Sequence, residues 1–174
     1  SAHAAFERLR TAGPALGDSP IGRPLLGVKC GCNAAFLVHA QEHDDDSATV
    51  VASVNPAPGK ASVSRSAVIE RRLLRPVLRG EGITLRSAVG SPAHTVDELR
   101  ILWTHGTDGL PLRILPPATT RWLAHWRPRL ESRRDARARM PWWTLFRTEA
   151  ARADTPRVVW ADIGKRLRTR VLDA

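Results

Sequence analysis

The chain has 174 residues, enough for one domain that buries roughly 70 % of its unfolded surface and too few for two comfortable cores. Its formal charge is +10, with pI near 11.3, and of its 27 basic residues only Lys29, Lys60 and Lys165 are lysines, so the positive charge is almost wholly guanidinium. No run approaches the roughly 18 uninterrupted apolar residues of a membrane span, no basic-then-apolar signal pattern is seen at the N-terminus, and Cys30 and Cys32, with no His cluster nearby, are too few ligands for a structural zinc site and read as free thiols.

Residues His3 to Thr11 read as a short helix around Phe6 and Leu9, followed by a linker punctuated by Gly13-Pro14 and Gly17-Asp18-Ser19-Pro20. The domain proper is expected over 22–174, with 1–21 as helix and linker. Leu25 to Lys29 and Ala35 to Ala40 are short apolar runs around Cys30-Gly31-Cys32-Asn33-Ala34, which predicts a β-hairpin whose turn uses Gly and Asn. Ala48 to Val54 predicts a third strand. Between them Asp44-Asp45-Asp46 is either a cation-binding loop or a solvated one.

Ser66 reads as the cap of a helix with Ile69, Leu73 and Leu74 on one face, ended by Pro76. Ile83 to Leu85 and Leu99 to Trp103 predict further strands. Ala118, Trp122, Trp126 and Leu130 recur every four residues, one apolar stripe on a helix that carries Arg121, His125 and Arg129 on its other face and that Pro128 should kink or divide. The arginine-rich stretch Glu131 to Arg139 reads as a helical continuation, broken by Pro141 before Trp142 to Phe146. Val158 to Ala161 predicts a strand, and Ile163 to Arg170 alternates apolar with basic residues.

Three segments carry the functional signal: Gly27-Val28-Lys29-Cys30-Gly31-Cys32-Asn33-Ala34-Ala35-Phe36, then Pro76-Val77-Leu78-Arg79-Gly80-Glu81-Gly82-Ile83, then Pro141-Trp142-Trp143-Thr144-Leu145-Phe146-Arg147. Their order and spacing resemble the target-recognition (TaqI-like C-terminal specificity) region of adenine-specific DNA methyltransferases and type IIG restriction-modification polypeptides, over roughly Leu25 to Leu172. Arg157-Val158-Val159-Trp160-Ala161-Asp162-Ile163 is similar to a later strand of that family. Two positions depart from its pattern: Cys30 stands where Thr is usual, and Gly82 where an acid is usual.

The resemblance implies an α+β fold, a mixed, mainly antiparallel sheet with several helices packed on it, forming a single DNA target-recognition domain that runs on past Ala174. It implies sequence-specific binding of duplex DNA on behalf of a methyltransferase domain of the same parent polypeptide, in a cytoplasmic phage-defence setting. S-adenosylmethionine, and Mg2+ in restriction fusions, would belong to that parent and not to this chain. Candidate DNA contacts are Lys29, Asn33, Arg79, Arg86, Arg134, Trp142, Arg147, Lys165 and Arg168. Lys29 either meets a phosphate or the methyltransferase lobe, or belongs to an architectural hairpin; Arg79 is either a DNA contact or a buried hydrogen-bonder. Of Trp142 and Trp143, at least one ring is expected in the core.

Guanidinium forks suit phosphates and guanine edges, so a polyanion is the first partner to consider. The alternative class is a protein-interaction module of a phage-defence complex whose arginine face meets an acidic partner. No catalytic constellation is legible: Leu115-Pro116-Pro117-Ala118 lacks the polar amide and aromatic stack that hold a flipped adenine, and Asp162-Ile163-Gly164-Lys165 lacks the paired acid of a nuclease. His3, His39, His43, His94, His105 and His125 are scattered, so no metal cluster is expected. The chain itself is expected to catalyse nothing.

Overall fold

Alternating burial along the strands organises the molecule. A computed structural model of the chain describes residues 2–13, 16–18, 23–44, 46–52, 65–79, 99–136, 140–152, 156–161 and 169–172. The expected strand at Ile83 to Leu85, and Arg86, Lys165 and Arg168, lie outside the described residues.

In the five-stranded sheet, β1 (Leu37–Glu42), β2 (Ser47–Ala52), β3 (Ser66–Glu70), β4 (Leu74–Pro76) and β5 (Leu99–Leu102) stand in the order β3-β2-β1-β5-β4, every pairing antiparallel. The α+β class read from the sequence is what the chain adopts. Along β2 burial alternates strictly, with Ala48, Val50 and Ala52 inside, and the register sets Val38 opposite Ala52 and Ala40 opposite Val50 on the same buried face. A one-residue slip would turn that whole row to solvent. A separate ribbon pairs β6 (Arg157–Trp160) with β7 (Thr169–Leu172).

Helix α1 (Ala2–Thr11) forms where its pattern predicts it. The four-residue stripe also holds: α3 (Pro117–Ala124) and α4 (Arg127–Glu131) bury Trp122 and Leu130 and leave Arg121, His125 and Arg129 exposed. Pro128 divides the two, sitting in the first turn of α4, where its missing N–H has no intrahelical partner to lose.

Three expectations are overturned. Leu25 to Lys29 does not pair with Ala35 to Ala40; Leu25 and Leu26 are exposed, Asn33–Phe36 winds into a one-turn helix, α2, and Lys29 bridges Phe146 instead. Ser66 caps no helix: Ser66–Glu70 is a strand because Ala67 to Ile69 pair with β2, and the helix-like spacing of Ile69 and Leu73 arises from a 3-10 turn, Arg71–Leu73, that returns Leu73 to the core. The helix expected through Arg139 ends at Glu131, where the chain turns so that Arg133 points inward.

Glu70, at the end of β3, caps α3 across 48 residues of sequence. Its carboxylate accepts from the Ala118 and Thr119 amides at 3.0 and 2.9 Å and from the Thr119 hydroxyl at 2.7 Å. Pro116 and Pro117 precede these amides and leave α3 without a local side-chain cap. Burial raises the Glu70 pKa, but the donors from Thr119 and Ala118 outweigh it and hold the carboxyl below its ordinary value near 4.5. Glu70→Ala should therefore cost about 1 to 2 kcal/mol in denaturant titration. Because the folded pKa is the lower one, this stability is present above the unfolded pKa and fades as pH falls through the folded one. Glu70→Gln should accordingly flatten the acid limb of the stability curve; an unchanged limb would contradict the cap.

Buried polar groups are mostly spent on backbone. Thr104 donates to the Trp143 carbonyl at 2.7 Å and Thr144 to that of Pro141 at 2.6 Å. Among the described residues the Trp103 indole N–H has no acceptor, and its ring carries the Arg75 guanidinium 4.3 Å from the centroid. Asp44 accepts from the Asp46 and Ser47 amides and the Ser47 hydroxyl, which assigns the carboxylate to the β1–β2 turn.

Candidate functional site

Arg133 joins the first and third motifs. Its Nε donates to the Leu130 carbonyl at 2.9 Å, its Nη1 to Cys30 at 2.7 Å and Thr144 at 2.9 Å, and its Nη2 to Trp142 at 2.6 Å. The guanidinium also lies 5.0 Å from the Phe146 ring centroid and 5.9 Å from that of Phe36. A planar fork with fixed donors can serve four carbonyls in this way; an ammonium cannot. Burial pulls its pKa down, and it remains a cation.

Gly31 is required by this arrangement. Its φ is +67°, and a Cβ placed there would fall 2.7 Å from Cδ of Arg133. Cys30 and Cys32 flank it as buried thiols, with burial raising the Cys30 pKa, so the pair serves packing. The Asn33 side chain accepts from the Cys30 thiol at 3.1 Å.

Lys29 and Phe146 exchange two backbone hydrogen bonds, at 2.8 and 2.9 Å, which sets Lys29 beside Arg147. Arg147 has φ +56° and is, among the described residues, the non-glycine with a positive φ. Such a conformation costs about 1 kcal/mol or more and persists where neighbours on both sides fix the backbone. Lys29, Arg134 and Arg147 line one open cleft of about 470 Å3, and all three are exposed. Its other wall is the 106–110 turn, closed by Gly109 at φ +73° and by the Asp108 carboxylate, which accepts from the Leu110 amide at 2.9 Å. Met140, Leu145 and Phe146 supply an apolar patch between the charges.

Asp135 stands among these cations as an ion-pair partner of Lys29. The hydrogen bond from Lys29 is the first cause that lowers its pKa, and the charges of Lys29, Arg147 and Arg133 follow.

Three of the nine expected contacts thus meet in one place. Trp142 and Asn33 adjoin the cleft through Arg133 and Cys30 without lining it; Trp142 packs edge-on against Trp143, with Arg127 over its face, so both rings are half-buried. Arg79 is exposed beyond β4 and outside the lining. Asp135 and His105 line the cleft although sequence reasoning passed them over; a short Arg-Arg-Asp run carries no local mark of which side chain turns inward.

Among the described residues no group of three or more His, Cys, Asp or Glu is placed to hold a metal ion, and no helix is long and apolar enough to cross a membrane. The chain has no significant match among protein-family models, curated proteins or solved structures.

Proposed function

We propose that this domain binds duplex DNA with sequence preference, as the specificity module of an adenine-specific DNA methyltransferase or restriction-modification polypeptide, and leaves the chemistry to a methyltransferase domain of that polypeptide. One observation carries most of the weight: Lys29, Arg134 and Arg147, distant in sequence, converge on one cleft, with Arg147 held in a strained backbone at its rim. A positive φ at an exposed arginine is an outlier of the kind that clusters at binding sites, where the surrounding structure holds it in place. The resemblance of the three motifs supports the same reading, as does the predominance of arginine in the net positive charge.

In this reading phosphate contacts set the register and a few side chains read base edges. Lys29, a compact point charge, suits phosphate; Arg147, a fork, suits a guanine edge. Fluorescence anisotropy with labelled duplex tests the proposal. If about five phosphates are neutralised, log affinity should fall against log salt with a slope of about −4 to −5. Arg147→Ala should weaken binding by about 1 to 3 kcal/mol without altering thermal unfolding. A flat salt response, or equal affinity for an acidic polypeptide at matched salt, would overturn the assignment.

A further inference from the structure

Surfaces that hold phosphate gain nothing from a carboxylate in their midst, because the like charge weakens every backbone contact nearby. Asp135 is nonetheless fixed at that place. It sits one residue from Arg134 and two from the fourfold-bonded Arg133, in a turn closed by the Ala136 amide on the Arg133 carbonyl at 3.0 Å. Its side chain is 44 % exposed, within reach of a ligand, and the Lys29 side chain it pairs with is 43 % exposed. Glu149 also lines the cleft, but it is Asp135 that bonds Lys29 and lies in the field of Arg147 and Arg133.

Against base edges a carboxylate can only accept: in the major groove it suits the exocyclic amino group of cytosine, suits that of adenine less because the adjoining N7 acceptor repels it, and rejects guanine and thymine, which show only acceptors there. Resting on the duplex-DNA reading above, we propose that Asp135 is the specificity-determining residue of the cleft, accepting a cytosine amino group while Lys29 passes from it to a phosphate. The ion pair would then be the unbound arrangement. Where the facing base shows only acceptors the carboxylate has no donor to meet and opposes binding; at the right cytosine its cost is recovered, so one residue both lowers background affinity and chooses the base.

The experiment is selection from a duplex library with a randomised segment, using the full chain and its Asp135→Asn and Lys29→Gln variants. The wild type should enrich sequences with a fixed cytosine at one position. Asp135→Asn should lose that preference by about tenfold, keep the preferences at other positions, and bind unselected duplex severalfold more tightly, with a salt slope steeper by about one. Lys29→Gln should weaken all sequences alike and keep the cytosine. Both variants break the same ion pair, so a purely structural role for Asp135 would give them the same profile, and that result overturns the proposal. So does an Asp135→Asn variant that still selects the cytosine, or a wild type that binds duplex without base preference. A wild type that binds no duplex would remove the function proposed above along with this inference.

Discussion

Arg133→Met should lower the unfolding free energy by about 3 kcal/mol and untie the segments that form the cleft. Removal of the guanidinium leaves the carbonyls of Cys30, Thr144, Trp142 and Leu130 without this donor, and hydrogen bonds to charged groups contribute about 1.5 to 3 kcal/mol each when counted singly. These bonds act as one unit, so their losses do not add, and the half-buried position lets water reach part of the network. Arg133→Lys should recover little, because one ammonium cannot address carbonyls on three sides. Denaturant titration of both variants decides the matter: a loss below about 1 kcal/mol for the methionine variant would show that the carbonyls find other partners.

Trp122→Ala should cost still more, about 3 to 5 kcal/mol. The ring is 1 % exposed and packs 4.9 Å from Trp126, and its indole N–H donates to the Ala35 carbonyl at 2.9 Å, tying α3 to the one-turn helix that opens β1. Trp122→Phe keeps most of the apolar volume and loses the donor, so it should fall between, at about 1 to 3 kcal/mol. A phenylalanine variant as unstable as the alanine variant would mean that the ring volume it retains contributes little and that what both variants lack, the indole N–H bond above all, dominates at this position. Since a domain of this size has only about 5 to 15 kcal/mol in hand, the alanine variant should sit close to its unfolding transition at physiological temperature.

The stripe Ala118, Trp122, Trp126 and Leu130 was legible because helical packing repeats within a few residues, and Pro128 marked its own break. The β-branched run in β2 announced its strand for the same local reason. Ser66–Glu70 misled because Ile69 and Leu73 fall at helical spacing although a 3-10 turn stands between two strands. Spacing alone does not separate those cases when pairing with β2 supplies the deciding energy.

The site was legible in its members and not in its assembly. Lys29, Arg134 and Arg147 stood out as basic residues in or beside motifs, but the bond that unites their segments, Arg133 to the Cys30 carbonyl, spans 103 residues and leaves no trace in either neighbourhood. Arg133 and Arg134 are identical in type and adjacent in order. Only the tertiary fold makes one an anchor and leaves the other exposed.

That division of labour within a single turn bears on how the charge of such a surface can change. The inward arginine fixes the path of the backbone, while its two successors face solvent, where exchanges of side chain typically change stability by less than about 0.5 kcal/mol. Substitutions at Arg134 and Asp135 can therefore change the charge of this surface without first requiring repair of the protein that carries it.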